Sequence, residues 1–128
     1  MPCSSTLVRI AALGLVFALA TSAREALAIK QFADQFKEVY VKEGTPLAAE
    51  VETAKCNVCH IGKNKKDRNA YGTALAKLLD KKEDKDNVEK IRDALAAVAK
   101  ESSDPANADA PTFGALIEAG KLPGGPAE

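Results

Sequence analysis

The sequence predicts an all-α domain built as a bundle of four to five short helices. Three observations predict it. Apolar residues recur at three- and four-residue spacing in several separate segments. No segment shows the two-residue alternation of a half-buried strand. Gly44-Thr45-Pro46, Asp86, Thr112 and Gly120 punctuate or cap these segments.

The elements follow in order. "KQFADQFKEVYVKE" carries Phe32, Phe36, Val39 and Tyr40 as one apolar stripe, the pattern of a first helix. Gly44-Thr45-Pro46 ends it, and "LAAEVETAKCNVCH" supplies a second. "IGKNKKDRN" is charged, contains glycine and has no period, so residues 61–69 read as a loop. "AYGTALAKLLD" puts Leu75, Leu78 and Leu79 on one helical face, and "DKKEDKD" reads as a solvated turn. Asp86 with Glu89 three places on has the form of a capping box, opening a helix whose stripe is Val88, Ile91, Leu95 and Val98. "SSDPANADAP" is loop chemistry. Thr112 then caps a short helix with Phe113, Leu116 and Ile117, stopped by Gly120. Residues 121–128, "KLPGGPAE", are expected to be a flexible C-terminal tail.

The fold is not expected to use the whole chain. Arg9 precedes an uncharged apolar run from Ile10 to Ala20, and Ala26-Leu27-Ala28 closes the segment. A basic start, a short apolar core and an A-x-A site are the parts of a secretory signal peptide. The run is shorter than the roughly 20 residues a membrane span needs. Residues 1–28 are therefore read as a leader cleaved after Ala28, residues 29–120 as the folded domain, and the location as periplasmic or otherwise extracytoplasmic. Cys3 stands before the apolar run, where no lipid anchor is attached, and leaves with the leader. No stable membrane span is expected in the mature form.

Charge narrows the partners. The 18 basic and 18 acidic residues cancel, so there is no basic excess to neutralise phosphates, and nucleic acid is not an expected partner.

The chemistry is concentrated in "KCNVCHIGKN". Beyond the leader the only cysteines are Cys56 and Cys59, and His60 is the only histidine in the chain. Two cysteines three apart at a helix end point the same way, about one turn apart. C-x-x-C-H is the attachment signature of c-type haem: each thiol adds to one vinyl group, and the histidine beneath the iron supplies the proximal nitrogen. Three other readings use the same residues. A thioredoxin-like pair wants a βαβ context, which this helical chain lacks. A zinc site finds three ligands here and would need a carboxylate as the fourth. A structural disulfide beside a chance histidine is the third.

With its exported context, "CNVCH" after a first amphipathic helix and further helices downstream, the chain resembles the small class I cytochromes c. The resemblance covers most of residues 29–120 in layout, and in specific residues only those five. It implies a bundle around one covalently bound haem c per chain, with thioethers at Cys56 and Cys59, His60 as the proximal metal ligand, and an exposed haem edge for electron exchange. The chain departs from the family at the sixth ligand. Met1, the only methionine, lies in the leader, and there is no second histidine. That leaves an open iron position, the new α-amino group of Ile29, or another side chain. Tyr71 and the lysines Lys63, Lys65 and Lys66 stand nearest in sequence; against a ligand role, Tyr71 reads as a core aromatic touching the porphyrin with its hydroxyl paired, and the lysines as a solvated face. Oxygen or amine donors in place of methionine imply a lower potential than a methionine-ligated relative.

Lys63, Lys65, Lys66 and Arg68 form a basic stretch beside the motif. They read either as a rim that steers an acidic redox partner or as a solubilising loop. The functional expectation is an electron carrier that is not an enzyme. The alternative is a five-coordinate haem c protein that binds a small gas or acts as a haem enzyme or sensor. Peroxidase-like chemistry lacks a distal histidine, and an Asp, Glu or Arg would have to replace it. The small apolar complement, rich in alanine and without tryptophan, gives a thin core that a large buried ligand would complete.

Overall fold

The computed structural model describes residues 20–63 and 65–127, with side chains in the first helix from Lys30 onward. Most of the expected leader lies outside these residues. The described chain is an all-α bundle of five helices: α1 Ala20–Tyr40, α2 Pro46–Ala54, α3 Ala70–Leu78, α4 Val88–Val98 and α5 Phe113–Glu118, with a 3-10 turn Lys55–Val58 after α2. α1 runs unbroken through the expected cleavage point, where alanine-rich sequence favours helix. Among the described residues no helix is long and apolar enough to cross a membrane.

Local chemistry sets the helix starts. Gly44 takes a left-handed φ of 76°. Thr45 then caps α2, its Oγ1 accepting from Ala48 N–H at 3.3 Å, with Pro46 as the first helical residue. Thr112 caps α5 by accepting from Ala115 N–H at 3.1 Å. α4 differs from expectation. Asn87, not Asp86, is its cap, accepting from Lys90 N–H at 3.0 Å. That shift makes Lys90 the third helical residue, so the Asp86–Glu89 capping box is absent.

The core is built on a line of aromatic rings. Tyr40, Phe36, Tyr71 and Phe113 meet in sequence with centroids 5.3, 5.8 and 5.2 Å apart and planes tilted by 58–71°, favourable edge-to-face arrangements. Ile91, Ala94, Leu95 and Val98 of α4 pack against them, with Leu47 and Val51 of α2. The apolar stripes expected to close round a porphyrin therefore pack on one another in this structure. Tyr40 Oη also donates to Leu95 O at 3.0 Å, tying α1 to α4.

Four surface expectations change. Val39 is exposed, because α1 turns Gln35 inward instead. The Gln35 amide is satisfied by Arg92 Nε of α4 at 2.8 Å and by Glu38 at 3.1 Å, so its burial costs little. Leu78 is exposed because α3 ends there; Leu79 continues in extended backbone and is the buried one. The 80–86 turn is not wholly solvated, since Asp84 is buried against Lys90 Nζ at 2.7 Å and Asp80 N–H at 2.7 Å. The terminal segment docks: Gly120 turns with φ 75°, and Leu122 and Pro123 are buried. The packed unit thus extends past the expected boundary at residue 120.

Candidate functional site

Cys56, Cys59 and His60 sit on one tight turn that ends α2. The 3-10 turn Lys55–Val58 places Cys59 N–H at 3.3 Å and His60 N–H at 3.1 Å from the same acceptor, Cys56 O. Both thiols are free; Cys56 is exposed, and half-buried Cys59 packs against the core. Burial, and then the neighbouring Cys56, push the Cys59 thiol up to about 12. Cys59 is thus held as a protonated thiol, unlike the activated thiolate of a redox pair. The turn begins on a strained residue. Lys55 has φ 51°, a conformation that costs a non-glycine residue roughly 1–3 kcal/mol and persists only where its surroundings impose it.

His60 is half-buried, with Nδ1 at 3.3 Å from Asp67 O. A carbonyl only accepts, so in this hydrogen bond Nδ1 is the donor, an arrangement that in the neutral ring puts the lone pair on Nε2. The loop that supplies Asp67 is pinned back on the motif. Ile61 N–H donates to Asp67 O at 3.0 Å, and His60 and Arg68 pair as an isolated antiparallel bridge. Lys63, Lys65, Lys66 and Arg68 are exposed along it.

α3 is brought directly onto the motif. Asn69 caps it, and the Asn69 side chain also reaches the turn between the cysteines. Gly72 sits so close that a Cβ there would overlap the Cys59 carbonyl oxygen. Tyr71 between them is fully buried, and its hydroxyl has no hydrogen-bond partner among the described residues. Burial first, then Cys59 and Tyr40, raise the Tyr71 phenol above its ordinary range. The sequence-predicted residues Cys56, Cys59, His60 and Tyr71 therefore belong to one neighbourhood. Asn69 and Gly72 were missed by sequence reasoning. Asn-Ala-Tyr-Gly at a helix start reads as ordinary capping chemistry, and only the packing shows where its atoms go.

The donor set fits haem attachment. Two unbridged thiols lie on one turn, the adjacent imidazole has Nε2 unengaged by any hydrogen bond among the described residues, and a buried hydroxyl without a described partner stands beside Cys59. Enclosure is less complete. A cleft of about 210 Å³ lies between α3 and the 101–112 loop, bounded by Ala74, Lys77, Glu101 and Phe113, and it does not include the motif. Among the described residues, no three His, Cys, Asp or Glu side chains converge as a metal-binding group, so the zinc reading gains no support.

Comparison with protein-family models, curated proteins and solved structures finds no match for this chain.

Proposed function

We propose that the chain is an exported monohaem c-type cytochrome that carries electrons, with haem c joined to Cys56 and Cys59 and His60 as proximal ligand. One observation carries the reading: a C-x-x-C-H turn whose two thiols are free and whose imidazole has its Nδ1 proton occupied by Asp67 O. Haem bound there supplies reversible one-electron exchange, and the protein's part is to hold and tune it.

The chain's own residues have separable tasks. Asp67 O fixes the ring orientation and tautomer of His60, the outer-shell role that carbonyls serve for metal-bound histidines. The aromatic line beneath Cys59 excludes water from one side of the turn. The exposed Lys63, Lys65, Lys66 and Arg68 offer a positive rim for an acidic redox partner, raising encounter rate more than affinity. A partner reaction whose rate is insensitive to ionic strength would remove that role.

A second reading rests on a specific observation: Met1 is the only methionine and His60 the only histidine. Neither common six-coordinate pairing can form within residues 29–128, which favours an open position and small-ligand binding. Visible spectra of the exported protein, ferric and ferrous, with and without carbon monoxide, separate the two. An electron carrier is low-spin and resists carbon monoxide; a ligand binder is high-spin and shifts fully. A spectrum with no haem bands contradicts both.

A further inference from the structure

We infer that Asn69 is the positioning residue of the C-x-x-C turn, holding the two thiols in their attachment geometry through its side-chain carboxamide. The functional consequence rests on the haem reading; the positioning does not.

Asn69 is buried at 8 % exposure, and its polar atoms are all spent on two elements. Oδ1 accepts from Gly72 N–H at 2.9 Å and caps α3. Nδ2 donates to Asn57 O at 3.3 Å and to Val58 O at 3.0 Å, the carbonyls of the two residues between the cysteines. Its backbone N–H donates to Cys59 O at 3.1 Å. A carboxamide has two N–H donors, and each has a separate acceptor on the same turn.

The residue type follows from this double duty. A hydroxyl is enough to cap a helix, as Thr45 and Thr112 show in this chain. Serine at 69 would keep the cap but is too short to reach Asn57 and Val58. Aspartate would keep the acceptor and lose both donors. Asparagine performs both tasks, and the surroundings seal it in place. A Cβ on Gly124 would overlap the carboxamide, so the docked C-terminal segment lies directly over it. The strained Lys55 opens the same turn. A positive φ at a lysine needs restraint from its surroundings, and the Asn69 bonds to the Asn57 and Val58 carbonyls hold the turn that Lys55 opens.

The proposal predicts a turn that is organised before any cofactor is joined. The test uses the full chain in three forms: unsubstituted, Asn69→Ser, and Asn87→Ser as the control. Asn87 caps α4 through the same kind of bond but makes no described contact with the motif. In haem-free chain, Cys56 should alkylate at least tenfold faster than Cys59. Asn69→Ser should bring the two rates within about threefold, and Asn87→Ser should leave the ratio unchanged. In chain exported by a host with haem-attachment machinery, Asn69→Ser should lower the haem-bearing fraction at least threefold relative to Asn87→Ser. An unchanged alkylation ratio in Asn69→Ser, or an equal loss of attachment in both variants, overturns the proposal. Unsubstituted chain exported without haem would sink the haem reading alone, and the alkylation ratio would still decide the role of Asn69. Should Asn69→Ser not fold, the unsubstituted chain decides: its Asn69 carboxamide protons should exchange with solvent at least a hundredfold slower than those of a free asparagine. Exchange at the free rate overturns the proposal.

Discussion

Gly72 lies against the backbone carbonyl of Cys59 at a distance that leaves no room for a β-carbon. That oxygen also accepts from Asn69 N–H, so it cannot swing aside without breaking the loop that closes on the motif. Alanine is normally favoured over glycine inside a helix by about 1 kcal/mol. Overpacking against fixed backbone costs about 1–3 kcal/mol, and here the clash should win. Gly72→Ala is expected to lower stability by at least about 1 kcal/mol in urea unfolding. A stabilised variant would mean that α3 does not press on the motif.

Tyr71 carries the opposite expectation. Removing a tyrosine hydroxyl usually loses a hydrogen bond worth about 1 kcal/mol. This hydroxyl is buried without a partner among the described residues, so Tyr71→Phe should leave the haem-free chain at least as stable. In the proposed haem-bearing form the same change tests whether the hydroxyl would meet the cofactor: a shifted visible spectrum identifies Tyr71 as a contact or ligand, and an unchanged one leaves it a core aromatic.

Both tyrosines should resist deprotonation in the folded state. Burial raises Tyr40, and burial with Cys59 and Tyr40 nearby raises Tyr71. In an ultraviolet titration neither should ionise near the ordinary value of about 10, and phenolate absorbance should appear at higher pH, together with loss of helical circular dichroism. A native chain titrating at the ordinary value would contradict the buried aromatic line.

Acid should destabilise the α3–α4 connection through Asp84. The Lys90 ammonium first, and then the Asp80 N–H, hold its carboxyl below the ordinary range. The folded chain therefore binds this proton more weakly than the unfolded chain does. The stabilisation is complete above the unfolded value of about 4 and is lost as pH falls through the lower folded value. Asp84→Asn should flatten the fall in Tm between pH 5 and the acid end. An acid arm as steep as in the unsubstituted chain would show that the pair contributes nothing.

Much of the fold was legible because helix periodicity and caps are local. Thr45, Pro46, Thr112 and Gly120 mark boundaries that the structure keeps. The failures come from tertiary context. Val39 loses its place to Gln35 because Arg92 arrives from α4 to satisfy a buried amide. Leu122 and Pro123 look like a loose tail until Gly120 turns them inward. At the candidate site, spacing alone singled out Cys56, Cys59 and His60, and the structure places them on one turn. Spacing did not single out Asn69 and Gly72, because their work is done on residues ten or more positions earlier.

The central claim is a covalent bond set, and the mass of the exported chain tests it most directly. Protein exported by a host with haem-attachment machinery, denatured and extracted with acidified organic solvent, should stay coloured and weigh one haem more than its residues 29–128. Replacing Cys56 and Cys59 together by alanine should remove both the colour and the extra mass. A colourless polypeptide at the bare amino-acid mass would contradict the account.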